Sequence, residues 1–298
     1  MSFTADVKEE LALVKQPSCC NISECYGMLF FARSFGFDKM LFQTSSEAAA
    51  KHFALRLRSL FGIMTEVHCG GSARKTYRVG VERAADRKKI MIAFGYVSPC
   101  ESYSINSGLF KRDCCVHAFL RGVFLACGQV NNPEKEYRIE LCAGSVSAAA
   151  QLGEVLSMTG IELKTVNRAG TSLLYSKDSA VIEDLLTAVG ATNAAILVMQ
   201  SKIYKDMRNK VNRIKNCETA NIFKSVDAAL EQRAAIELLE KKGKLNSLPP
   251  ELISAAQLRT DNPEASLNEL CRISKEPITR SGLNHRFAKI IQFAKEIV

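Results

Sequence analysis

Near the C-terminus, Arg280, Ser281, Asn284 and His285 fall close together in the stretch ITRSGLNHRF. An Arg fork, an Asn amide and two smaller polar groups can donate to and accept from base edges in a duplex groove. Arg286, Lys289 and Lys295 follow at spacings suited to phosphate oxygens, and Arg272 to Lys295 holds six basic residues against one acid. His285 alone decides nothing, because a lone histidine is usually structural. A second basic run, KIYKDMRNKVNRIK (202–215), has six bases and one acid, with Ile203, Met207, Val211 and Ile214 at helical spacing. Lys205, Arg208 and Arg213 are therefore candidates for further phosphate contacts. Eleven cysteines are present, but none forms C-x-x-C. The adjacent pairs Cys19–Cys20 and Cys114–Cys115 lack the spacing of a zinc ribbon, so reduced thiols serving as small buried hydrophobes are expected, with no metal and no cofactor.

The C-terminal polar residues need a helix to carry them, and residues 249–297 contain three helix signals. PPELISAAQLR starts on prolines, has Leu252, Ile253 and Ala256 facing one way, and stops at Asp261-Asn262-Pro263. A second helix begins at Ser266 with Glu269 three residues on, a capping-box pattern, and directs Leu267, Leu270 and Ile273 inward. The third runs from about Thr279 and buries Leu283, Phe287, Ile290, Ile291, Ala294 and Ile297. Its outer face then holds the candidate base-reading residues, as a helix-turn-helix requires.

The first two-thirds of the chain repeats itself. Apolar segments 25–36 and 118–130 each precede a strand-like stretch (MLFQTS, EYRIELC). Each is followed by a helix with three consecutive alanines ending at Gly-Ile, SSEAAAKHFALRLRSLFGI and GSVSAAAQLGEVLSMTGI. The alternating stretches TEVHCG…TYRVGV and ELKTVNR…TSLLYS then read as hairpins, and a closing helix ends each copy, weakly marked near 84–95 and clear at 178–189. Two such halves in one chain make a pseudo-dyad.

The segment LRGVFLACG (120–128) resembles the LAGLIDADG signature of homing endonucleases, matching at Leu120, Gly122, Ala126 and Gly128. In that family two motif helices pack closely through small residues, and each presents an acid to divalent metal beside the scissile phosphates. Hard cations such as Mg²⁺ need those oxygen ligands. Here the acid position is Cys127 in the second copy and, aligning CYGMLFFAR (25–33), Ala32 in the first. Asp38 and Glu134 lie downstream and would have to reach back. The expectation is a nuclease scaffold without its metal site, hence no enzyme.

With 47% hydrophobic and 24% charged residues, the chain is globular rather than disordered. No apolar run approaches the roughly 20 residues of a membrane span. SFTADVKEELALV lacks the plan of a signal peptide and reads as an amphipathic helix with Val7, Leu11 and Val14 on one face. A cytoplasmic protein is expected. Of the +9 net charge, +6 lies from residue 201 onward, which favours a polyanionic partner there.

Assembled, these parts resemble the WhiA family along essentially the whole chain. The resemblance rests on SFTADVKEEL, CVHAFLRGVFLACGQVNNPEKEYRIEL, KDMRNKVNRIKNCETANI and LPPEL…NPEASLNEL…SGLNHRFAKI, in that order. It implies an α+β fold with a degenerate two-repeat LAGLIDADG-like domain (1–190), a basic helical linker (191–245) and an all-α helix-turn-helix domain (246–298). It also implies a nucleoid-associated regulator of transcription, cell division, chromosome segregation and, where present, sporulation. The partner would be double-stranded DNA, with room for other transcription or division proteins and no role for a membrane. The first copy departs most from the motif, because Cys25, Tyr26, Phe30, Phe31 and Arg33 make it bulky. Two rival readings stay open: a metal-dependent homing-type endonuclease, and an interaction scaffold for an acidic protein.

Overall fold

The computed structural model describes residues 2–71, 75–168 and 170–297. The chain forms two compact units, Met1–Lys205 and Asp206–Val298. The first begins with α1 (Phe3–Ala12), α2 (Ser18–Phe30), β1 (Leu41–Thr44), α3 (Glu47–Phe61), β2 (His68–Gly70), β3 (Thr76–Gly80) and α4 (Ala84–Ala93). It continues with α5 (Asp113–Cys127), β4 (Gly128–Val130), β5 (Ile139–Cys142), α6 (Val146–Ser157), β6 (Lys164–Arg168), β7 (Thr171–Ser176) and α7 (Ser179–Val189). Helix α8 (Thr192–Lys241) starts in this unit and ends in the second, which adds α9 (Pro250–Asp261), α10 (Leu267–Ile273) and α11 (Arg280–Glu296). The basic joining segment is therefore one uninterrupted helix. Among the described residues no helix is long and apolar enough to cross a membrane.

The duplication is visible in the sheets. One is antiparallel in the order β1-β3-β2, the other antiparallel in the order β4-β5-β7-β6. The second has an extra edge strand, β4, whose counterpart in the first copy is only the isolated bridge Ser34–Leu41. The expected hairpins are β2–β3 and β6–β7, whose turn residues 72–74 and 169 lie outside the described residues. One face of each sheet is apolar, and cross-strand partners such as Phe42–Val79 and Leu141–Leu174 are buried.

The alanine-rich helices show why Gly-Ile recurs. Gly62 closes α3 at φ 70°, and the Ile63 N–H donates to Leu57 O at 3.3 Å. After α6, Gly160 has φ 74° and the Ile161 N–H donates to Leu156 O at 3.2 Å. A residue without Cβ accepts the left-handed turn, and the following isoleucine tucks its side chain into the core in both copies.

The two motif helices lie side by side in the same direction, their N-terminal ends and their middles both meeting. A Cβ on Gly122 would sit 2.1 Å from Glu24 O, and one on Gly27 2.3 Å from Phe119 O. Each glycine thus admits the other helix's backbone. The bulk of the first motif does not separate the backbones, because its rings pack beside the glycine contact, partly against Phe119 of α5. Tyr26 stacks at 4.9 Å on Phe94 and 5.4 Å on Phe119, while Phe30 turns to Phe31 and Phe35.

Helical glycine normally gives way to alanine with a gain of about 1 kcal/mol. Gly153 in α6 has nothing within 4 Å of its missing Cβ, so Gly153→Ala should raise the unfolding free energy by about 0.5–1 kcal/mol, read as a higher urea midpoint. Gly122→Ala should instead lose about 3 kcal/mol or more, since two backbones would have to part. Equal midpoints for the two variants would refute close helix contact at Gly122.

Candidate nucleic-acid interface

The second unit has its own core, in which Ile236 and Leu239 of α8 meet Leu252 and Ala256 of α9, Leu270 of α10, and Leu283, Phe287, Ile290 and Ala294 of α11. Pro250 opens α9 at a position whose N–H would have no helical partner. The capping box is formed in both directions: Ser266 Oγ accepts from Glu269 N, and Ser266 N donates to the Glu269 carboxylate at 2.8 Å. Ile273 departs from its expected inward position. Helix α10 ends there, and the side chain is half exposed while Cys271 packs on the core.

Sequence patterning gave no sign of Arg259, which organises this unit. It is 1% exposed, and its Nε donates to Gln232 Oε1 of α8 at 3.0 Å. Its Nη1 donates to Ala265 O at 2.5 Å, and the guanidinium lies 5.4 Å from the Phe287 ring centre. One side chain thereby ties α8, α9, the loop before α10 and α11 together. Burial pulls its pKa down, helped by Arg233.

Thr279 caps α11, its Oγ1 accepting from Gly282 N at 3.1 Å. With Leu283, Phe287 and Ile290 buried, the opposite face of the first turns carries Ser281 and His285, flanked by Arg280 and Asn284. All four are exposed, and small, exposed Ala288 lies next along the same face. Arg280 also borders a polar cleft of about 490 Å³ lined by Asn221, Lys224, Ser225, Gln232 and Asn268. Arg259 reaches this cleft too, so three cationic side chains face it.

The remaining bases are more engaged. Arg286 stands 3.5 Å from Glu276 and 3.9 Å from Glu251. Lys289 is exposed beside a small hollow with Pro249, Leu252 and Phe293. Lys295 pairs with Glu231 at 3.4 Å. On α8, Arg208 and Arg213 are exposed, whereas Lys205 donates to Pro133 O at 2.6 Å and sits 4.1 Å from the Tyr137 ring centre. Lys205 thus holds the start of the basic helix to the repeat unit. Glu10 does the same about three turns earlier, its carboxylate accepting from Asn193 N at 2.7 Å and Ala194 N at 3.2 Å.

In the repeat unit, Ala32 follows the end of α2 and Cys127 ends α5, its Sγ donating to Val123 O at 3.4 Å. Burial pushes the Cys127 thiol up to about 12. Neighbouring Lys8 is buried and drawn down to about 8 by desolvation. A thiol beside an amine offers a hard cation nothing like a carboxylate. Asp38 and Glu134 are both exposed.

The buried carboxylate of this unit is Glu24, at the helix crossing. It meets Arg121 of α5 at 2.8 Å, Arg56 at 2.9 Å and His52 Nε2 of α3. Arg121 also donates to Val189 O at 2.9 Å and to Gln16. Burial opposes charge on Glu24, but His52, Arg56 and Arg121 outweigh it and hold the carboxyl near 2. With its oxygens taken by two guanidinium groups and the His52 ring, this acid is a structural tie between repeats.

Comparison with known proteins places both units. A model of the WhiA LAGLIDADG-like domain matches residues 116–208, and a model of the WhiA C-terminal HTH domain matches 211–294. The probable cell division protein WhiA of Heliobacterium modesticaldum is 33% identical, covering 99% of this chain and 96% of its own. That of Carboxydothermus hydrogenoformans is 34% identical, covering 100% and 98%. The full-length DUF199/WhiA crystal structure from Thermatoga maritima has the same fold, with TM-score 0.61, 24% identity and 99% of each chain covered.

A carboxyl lowered from 4.5 to about 2 lends stability that is complete above its unfolded pKa and lost as pH falls toward the folded one. The contribution is on the order of 3 kcal/mol. Urea midpoints of the wild type and Glu24→Gln should therefore differ widely at pH 7 and converge between pH 4.5 and 2. A gap that stays constant with pH would show that Glu24 is not ionised in the fold.

Proposed function

The chain belongs to the WhiA family, and from that premise we propose that it is a sequence-selective DNA-binding regulator without nuclease activity, reading duplex DNA with α11. The observation that carries this reading is the exposed outer face of that helix. Ser281 and His285 point away from the core, Arg280 and Asn284 flank them, and Ala288 keeps the face low enough to enter a major groove. Arg208, Arg213 and Lys289 supply phosphate contacts. Lys224, beside Arg280 in the polar cleft, joins them. Arg286 chiefly positions the helix through Glu276 and Glu251, and Lys205 anchors α8 rather than reaching DNA.

Loss of cleavage follows from the motif ends. Ala32 offers the divalent cation that in-line hydrolysis needs no ligand, and the protonated Cys127 thiol beside the Lys8 amine offers it no carboxylate oxygen. The relatives' name, probable cell division protein, extends to this chain as control of division genes on the nucleoid. Chromosome segregation and sporulation are downstream outcomes, and other transcription or division proteins are accessory partners.

Selection from genomic fragments at physiological salt, with and without Mg²⁺, tests the proposal. The wild type should retain a subset of fragments intact in both conditions, with affinity falling steeply as salt rises. Arg280→Ala/Asn284→Ala should bind the selected fragments at least tenfold more weakly, from about 1–3 kcal/mol per lost bidentate contact. Unchanged selectivity in the double variant would remove α11 as the reader, and Mg²⁺-dependent cutting would overturn the non-nuclease reading.

A further inference from the structure

The cysteine pairs that sequence spacing set aside are brought together by the fold. Cys19 and Cys20 lie in the first turn of α2, and Cys114 and Cys115 in the first turn of α5. The same 95-residue offset that relates Cys19 to Cys114 relates Gly27 to Gly122. The pairs are thus equivalent positions of the two repeats, meeting across the pseudo-dyad. All four Sγ atoms lie within 4.8 Å of one another. Cys19 Sγ is 3.9 Å from Cys20 Sγ and 4.0 Å from Cys114 Sγ. Among the described residues this is the one group of three or more metal-ligating side chains so gathered.

We infer that these four thiols form a binding site for a single tetrahedral zinc ion that clamps the N-terminal ends of the two motif helices. The dimensions fit one ion. With Zn–S near 2.3 Å, a tetrahedral site separates its sulfurs by about 3.8 Å, close to the spacings present. An iron–sulfur cluster distributes its thiolates over separate irons and needs a wider cage. The burial also fits: Cys20 and Cys115 are enclosed, while Cys19 and Cys114 are part-exposed and give an ion a way in.

Neither α2 nor α5 has a side-chain cap at its N-terminus, so the positive ends of two helices converge on the sulfurs. Arg112, the residue just before α5, adds a positive charge beside Cys19. Each Zn–S bond formed releases one S–H proton to solvent with no change of oxidation state. The clamp lies at the other end of the helix pair from Ala32 and Cys127, so it is independent of the lost nuclease centre.

The test uses full-length protein without a polyhistidine tag, purified under reducing conditions. One zinc per chain should survive dialysis, and Co²⁺ added to metal-free protein should give the intense thiolate charge-transfer and tetrahedral d–d bands at one equivalent. Cys20→Ser/Cys115→Ser should lose both signals, whereas Cys69→Ser/Cys100→Ser, at exposed thiols outside the cluster, should keep them. Should the first variant fail to fold, alkylation of the wild type decides: zinc should protect Cys19 and Cys114, and chelation should expose them. Metal-free protein with an octahedral Co²⁺ spectrum, a native disulfide between the repeats, iron with acid-labile sulfide, or alkylation unaffected by zinc would each overturn the assignment.

Discussion

Everything in the first unit depends on two helix backbones touching. Gly27 and Gly122 each leave room for a carbonyl of the other helix, at separations where any Cβ would collide. That contact fixes the pseudo-dyad and so fixes where both sheets lie. It brings Glu24 against Arg121 and carries the four cysteines to one place. Close packing of this kind has no continuous adjustment, because interiors as dense as crystals either fit or repack. The first motif has glycine at the touching position and bulky residues beside it, so the tight constraint falls on the one position where backbones meet.

What surrounds the crossing has changed its chemistry while keeping its shape. In an active scaffold of this type the helix ends would offer oxygens to a metal. Here the ends hold an alanine and a raised thiol, while a buried carboxylate, Glu24, is held at the helix crossing by two arginines and a histidine. A buried carboxylate surrounded in this way is strongly destabilising when one partner is removed, because the remaining charges stay desolvated. The result is a frame that fixes two repeats rigidly and anchors the start of α8 through Glu10 and Lys205. The second unit is organised on the same principle by Arg259, one buried cation satisfied by Gln232, Ala265 and Phe287.

Much of this was legible from residues alone, for reasons that are local. Gly-Ile after three alanines predicts a helix and its left-handed stop, and Ser266 with Glu269 predicts a cap; neither depends on distant contacts. The outer face of α11 follows from the spacing of Leu283, Phe287 and Ile290. What escaped depended on long-range pairing. Cys19 and Cys114 are 95 residues apart and Glu24 and Arg121 are 97, so only the superposition of the repeats could have joined them. Ile273 departs from the pattern because it is the last residue of a short helix, where the core no longer covers its side chain. Lys205 and Arg286 counted as free bases until the fold supplied Pro133, Glu276 and Glu251 as partners.

The central claim is that the repeat unit is a frame and α11 is the reader. A photo-crosslinking residue introduced at His285, on the outer face of α11, and separately at Glu154, on the exposed face of α6, tests it most directly on selected genomic fragments. The account predicts crosslinks to bases from position 285 that vanish with competing specific DNA, and none from position 154. Base crosslinks from 154 with none from 285 would contradict it, and would make the former nuclease scaffold the part that reads DNA.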